Sequence, residues 1–243
     1  MRVFKFGGAS VRDAEGIRNI GRIIAQTDDR LMVVVSAMGK TTNALEGLTR
    51  ALCGYDLTGF DELYDQVVST GELQSTRIVS AYLNHCGIAN EWMDITRLMV
   101  TDSSFRCANV DMSMTRRLLH SYLRTHPAHV YVTQGFIAGT PEGKRTTLGR
   151  EGSDYTAALL ANLLDAQSVT LWKDVPGVMS ADPLQDSSAQ LLTHLTYDET
   201  EQILARGAQI IHPKTIAPLR AKNIPLYVKP FLHPEAEGTV IKD

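Results

Sequence analysis

A chain of 243 residues, 44% hydrophobic and 21% charged, has enough apolar material for a sizeable core in one large α/β domain. Its formal net charge of −3 argues against a nucleic-acid or anionic-membrane binder, and no apolar run reaches the roughly 18 residues that a membrane span requires. Three widely spaced cysteines (Cys53, Cys86, Cys107) without a C-x-x-C pair read as free thiols, and a chain that enters a strand at once has no signal peptide, so a cytoplasmic protein is expected.

The first ten residues, Met1-Arg-Val-Phe-Lys-Phe-Gly-Gly-Ala-Ser10, predict a short buried strand ended by Gly7-Gly8. A strand, a glycine pair and a following helix start make an anion cradle, because glycine admits close approach and free helix N–H groups favour negative charge. Lys5 inside an apolar strand needs an anionic partner such as a phosphate, unless it reaches solvent from an edge strand. Residues 13–26 carry Ile17, Ile20 and Ile24 at helical spacing, with Asp13 able to cap. Residues 31–36 form a β-branched run typical of a parallel strand covered on both faces. The loop Ser36-Ala-Met-Gly-Lys-Thr-Thr-Asn43 follows, with a helix beginning near Thr42. Such a β-α-β beginning predicts a parallel sheet whose ligands sit beyond the carboxyl ends of the strands.

Further on, residues 61–83 read as one long helix bent at Gly71, 91–101 as a short strand region and 111–125 as a helix. A strand at 130–133 precedes a hairpin over 136–148 with Gly139, Pro141 and Gly143 in its loop. A small-residue helix is expected at 153–164, a strand at 168–172, and a loop through Asp182-Pro183. Helices at 197–206 and 213–222 and strands near 225–228 and 239–241 close the chain. Leu148-Gly-Arg-Glu-Gly-Ser-Asp-Tyr155 offers Arg150, a planar fork suited to a carboxylate, and Asp154, able to hold a lysine. The plainer alternative is helix capping by Ser153 and Asp154 beside a surface arginine.

Lys5-Phe-Gly-Gly-Ala-Ser10, Ser36-Ala-Met-Gly-Lys-Thr-Thr-Asn43, Ser69-Thr-Gly-Glu72, Leu148-Gly-Arg-Glu-Gly-Ser-Asp-Tyr-Thr-Ala157, Trp172-Lys-Asp-Val-Pro-Gly177 and Gly207-Ala-Gln-Ile-Ile-His-Pro213 together resemble successive motifs of the aspartate kinases. The resemblance spans nearly the whole chain and implies a single catalytic domain over 1–243 with the amino-acid-kinase-like fold, an α/β three-layer sandwich around a central mainly parallel sheet. It implies transfer of the ATP γ-phosphoryl group to the β-carboxylate of L-aspartate, with Mg²⁺ carried on ATP. Carried over by position, it gives Lys5 and the amides of Gly7 and Gly8 to the phosphates, Ser36 to the phosphate side, and Lys173 and Asp174 to the nucleotide. Thr42 and Ser153 would hold the acceptor, Arg150 its α-carboxylate, Glu72 its ammonium, and Asp154 would orient Lys5. The partners implied are L-aspartate and MgATP, with a homo-oligomer compatible.

The chain departs from the aspartate kinase pattern at Ala9, Met179, Leu184 and Gln209, where threonine, tyrosine, arginine and lysine are usual. Three of the four lie on the nucleotide side, so weak ATP binding is expected. A chain that stops at Asp243, before the usual paired regulatory domains, is expected to be a catalytic fragment or an enzyme insensitive to lysine and threonine. The rival readings are another small-molecule kinase of this fold, acting on glutamate, acetylglutamate, carbamate or UMP, and a non-catalytic amino-acid-binding module.

Overall fold

The apolar run at the amino end becomes β1 (Arg2–Phe6), buried without a break from Val3 to Phe6. A 3₁₀ turn over Gly8–Val11 leads to α1 (Ala14–Ala25), capped by Asp13, whose carboxylate accepts the Gly16 N–H at 2.9 Å. Ile17, Ile20, Ile23 and Ile24 are all buried, and burial of each is worth about 1.5–3 kcal/mol of transfer free energy. β2 (Leu31–Val35) is buried at all five positions, as a strand covered on both faces requires. There follow α2 (Thr41–Arg50), α3 (Phe60–Val68), α4 (Thr70–His85), β3 (Asn90–Met93), α5 (Met112–Thr125), β4 (Val130–Gln134), β5 (Ile137–Gly139), β6 (Arg145–Thr147) and α6 (Gly152–Leu163). The chain closes with β7 (Val169–Lys173), β8 (His194–Leu195), α7 (Tyr197–Ala205), α8 (Ile216–Arg220), β9 (Leu226–Pro230) and β10 (Thr239–Ile241). This computed structural model describes residues 1–51, 57–181, 186, 188–208 and 210–243. The expectations for Cys53, Asp182, Pro183, Leu184 and Gln209 therefore lie outside the described residues.

Eight strands form one sheet in the order β3-β4-β2-β1-β7-β9-β10-β8. All neighbours pair in parallel except β9 and β10. Helices cover both faces. Phe4, Phe6, Val33 and Val35 pack with the isoleucines of α1 and with Val79 and Leu83 of α4. Val3, Val34 and Leu171 pack on the other side with Leu119 of α5, the alanines and leucines of α6, and Leu219 of α8. The result is three layers, and the carboxyl ends of β1, β2, β4, β7 and β9 all point the same way.

Of the two readings of Lys5, the buried one holds: β1 lies between β2 and β7, with Lys5 in register with Val34 and Leu171. Its exposure is only 7%. Other details differ from the expectation. The stretch 61–83 is two helices meeting at Ser69, not one helix bent at Gly71. The Ser69 and Thr70 hydroxyls donate back to the carbonyls of Gln66 and Val67 at 3.1 and 2.7 Å, competing with the helical ladder at that joint. Gly71 lies beyond the joint, where an added Cβ would meet the Ala37 Cβ at 2.8 Å. Within 91–101 only the start is strand, followed by a 3₁₀ turn at Ile95–Arg97. Gly139 belongs to β5 rather than to the hairpin loop, which turns at Gly143 with φ +85°. The two-residue β8 carried no sequence signal, because a strand that short has no periodicity.

Candidate active site

Alternation along β1 sends Lys5 to the same sheet face as Val3, toward the amino end of α6. There its ammonium lies 2.8 Å from Asp154 Oδ1. Lys173, last residue of β7 and on the same face, donates to Asp154 Oδ2 at 2.8 Å. Asp154 is 2% exposed. Burial opposes its ionisation, but Lys5 and Lys173 outweigh burial and hold the carboxyl well below its ordinary value. Burial in turn lowers Lys5, with Asp154 acting against that shift. Two ammonium groups share one carboxylate, so the cluster keeps about one uncompensated positive charge in a dry setting. An anion there would complete it. Neither Ser153 nor Asp154 caps α6; Glu151 occupies the cap position and makes no side-chain cap bond.

A Cβ on Gly7 would meet only Lys5 Nζ, at an ordinary contact distance of 3.5 Å. Gly8 is under a stricter constraint. Its carbonyl accepts the Gly39 N–H at 2.9 Å, bringing the loop after β1 against the loop after β2. A Cβ on Gly8 would lie 2.7 Å from the Gly39 carbonyl oxygen and 3.0 Å from that of Ala37. Both obstacles are backbone and cannot step aside. Gly8→Ala is therefore expected to cost about 1–3 kcal/mol in urea unfolding and to lower activity; unchanged stability and activity would refute the close approach.

Glu72, in the first turn of α4, is 2% exposed. Its Oε1 accepts the Ala37 N–H at 3.1 Å, while Oε2 has no hydrogen-bond partner among the described residues. Burial raises its pKa to about 8, with a small opposing pull from Lys5. Beside it opens a cavity of about 630 Å³, lined by six of the predicted residues: Gly8, Ser36, Thr42, Glu72, Arg150 and Ser153. Arg150 is exposed and makes no ion pair with any described residue. Lys5 and Asp154 lie in the buried cluster described above; Asp174 is exposed beyond β7 and does not line the cavity.

The cavity also holds residues the sequence reading passed over. Asn43, Glu46 and Arg50 line it together with Thr42, a 3–4 spacing on α2 that helical periodicity could have shown. Tyr64, Asp61 and Arg106 carried no such signal, because their neighbourhood is made by segments about 41 to 45 positions apart. Five non-glycine residues among those described have a left-handed backbone, and three of them, Arg106, Phe136 and Glu151, line this cavity. Strained backbone concentrated in this way marks a functional site. A pocket that offers a partnerless carboxylate, an unpaired guanidinium and a neighbouring cationic cluster suits a small zwitterion with further anionic groups.

The model of the amino acid kinase family matches residues 1–230. The chain is 30% identical to lysine-sensitive aspartokinase 3 of Escherichia coli K12, covering 98% of this chain and 63% of that protein. It is 32% identical to bifunctional aspartokinase/homoserine dehydrogenase 2 of Arabidopsis thaliana, over 98% of this chain and 32% of that protein. It thus spans between about one third and two thirds of these curated relatives. Among solved structures, E. coli aspartokinase III in complex with aspartate and ADP matches with a TM-score of 0.90 at 30% identity, over 100% of this chain and 64% of that one. An isopentenyl phosphate kinase at 18% identity and a TM-score of 0.70 shares the fold.

Proposed function

Since the chain belongs to the amino acid kinase family, we propose that it transfers the γ-phosphoryl group of ATP to the β-carboxylate of L-aspartate, giving 4-phospho-L-aspartate. The observation that carries the reading is Glu72. A carboxylate 2% exposed, with one oxygen partnerless, on a residue lining a cavity that also contains Arg150, suits an α-amino acid. A buried group left in this way is costly unless a ligand completes it. In this reading Glu72 takes the ammonium, Arg150 the α-carboxylate, and Thr42 and Ser153 steady the acceptor. Similarity to an aspartokinase whose structure holds aspartate and ADP supports the same assignment.

Phosphoryl transfer asks the protein mainly for positioning and for charge opposite the transferring group. Lys5 supplies that charge, Asp154 fixes its direction, and Lys173 shares the carboxylate so that Lys5 is not neutralised by it. The amides of Gly7 and Gly8 and Ser36 face the phosphates, with Asp174 toward the nucleotide. Mg²⁺ enters as part of the nucleotide substrate, held largely by ATP oxygens and water because it dehydrates reluctantly. Exposed free thiols at Cys86 and Cys107 fit a cytoplasmic setting, and self-association into a homo-oligomer belongs to the same proposal. No described helix is long and apolar enough to cross a membrane.

The test is ADP release with aspartate, glutamate, acetylglutamate, carbamate and UMP as acceptors. Turnover with aspartate far above the others is expected. Preference for another acceptor would overturn the substrate, and aspartate binding without turnover would overturn the activity.

A further inference from the structure

We infer that Asp65, which contacts no substrate, is the positioning residue of the acceptor wall: its carboxylate holds the backbone of Arg106 and of Thr147 and thereby the two segments that bring Arg106 and Arg150 to the cavity. The inference rests on reading that cavity as the acceptor site.

Asp65 sits in α3 with no exposed surface. Its carboxylate binds nothing in its own helix. Oδ2 accepts the Arg106 N–H at 2.9 Å and the Thr147 N–H at 2.8 Å, and Oδ1 accepts the Thr147 hydroxyl at 2.8 Å. Those donors lie 41 and 82 positions further along the chain. The two tethered segments are also joined to each other, since the Ala108 N–H donates to the Thr147 carbonyl at 2.9 Å. Thr147 ends β6, three positions before Arg150.

Arg106 is held against its own preference. Its φ is +69°, a region that side chains rarely adopt. The same turn of α3 grips its side chain as well. The guanidinium lies 4.9 Å from the Tyr64 ring centroid and 3.1 Å from Asp61 Oδ1. Tyr64, Asp61, Arg106 and Thr147 all line the cavity, with Asp65 behind them. Its pKa is raised by burial, with the bonds from Arg106 and Thr147 acting against that shift. A buried carboxylate with no cation bound to it is an expensive way to fill a core position. It makes sense where three donors from distant segments must converge on one point.

A role in position rather than charge separates two variants. In Asp65→Asn the amide oxygen can take both N–H groups while the amide nitrogen donates to the Thr147 hydroxyl oxygen. In Asp65→Ala both N–H groups lose their acceptor. Steady-state kinetics with aspartate and ATP, together with amide hydrogen exchange at Arg106 and Thr147, read the difference. Asp65→Ala is expected to raise the aspartate KM by about 10- to 100-fold, with the ATP KM within about twofold and exchange faster at both amides. Asp65→Asn is expected to stay near wild type in all three. Unchanged aspartate KM or unchanged exchange in Asp65→Ala, or a loss in Asp65→Asn as deep as in Asp65→Ala, would overturn the inference. If Asp65→Ala does not fold, Asp65→Asn and Thr147→Val decide: Thr147→Val should raise the aspartate KM alone, by about threefold, and an equal rise for ATP would count against the role. A wild type that does not phosphorylate aspartate sinks the functional reading only, because the exchange arm requires no substrate.

Discussion

Lys5→Ala is expected to fold and to bind aspartate, and to lose about 10²–10³ in kcat, the usual cost of removing one preorganised group that stabilises transition-state charge. Folding should survive because Asp154 keeps its bond from Lys173 at 2.8 Å, so the variant does not strand a buried carboxylate. Catalysis should not survive, because neutralising Asp154 leaves Lys173 little charge for the phosphoryl group. In the native cluster two lysines share that carboxylate, and the excess positive charge is what the reaction uses. Single-turnover measurement separates the chemical step from binding. A kcat near wild type would remove Lys5 from the mechanism.

Arg150→Gln and Glu72→Gln should each depress kcat/KM for aspartate severely while leaving ATP affinity nearly unchanged. Together the two side chains fix where the β-carboxylate points, one through a charge-assisted and geometrically matched pair, the other through the ammonium. A site built on such partners rejects analogues that leave them unpaired by about 10⁴-fold. Succinate, which lacks the amine, should accordingly be a poor acceptor for the wild type. Comparable use of succinate and aspartate would undo the assignment of Glu72.

Glu72 also gives the pH dependence a sign. Burial raises it to about 8, so below that pH the free protein holds it protonated, and an ammonium must displace the proton. The aspartate KM should fall about tenfold per unit as pH rises from 6 toward 8, by simple proton linkage. Stability should move the opposite way. Between the ordinary value of 4.5 and about 8 the folded state binds the extra proton, so the free protein loses stability as pH rises through that window. Glu72→Gln should abolish both slopes; a slope that persists in that variant belongs to another group.

Local patterning determined a large part of this protein. β1, β2, α1 and the hairpin follow from apolar runs, helical spacing and turn residues, each of which acts over a few positions. The site residues came from a resemblance rather than from patterning: Gly8, Ser36, Thr42, Glu72, Arg150 and Ser153 stand in short strings similar to aspartate kinase motifs, and the cavity gathers all six. Tertiary structure decided the rest. Lys5 read equally well as an edge lysine, and only strand order, with β1 between β2 and β7, made it a buried cation with Asp154 as its counter-charge. The break at Ser69 depends on two hydroxyls choosing carbonyls over solvent, which composition does not specify. Asp65 looked like any polar residue of a half-exposed helix, because its partners lie 41 and 82 positions away. A carboxylate has the same local signature whether it faces water or three donors from distant segments. The fold alone brings those donors to it.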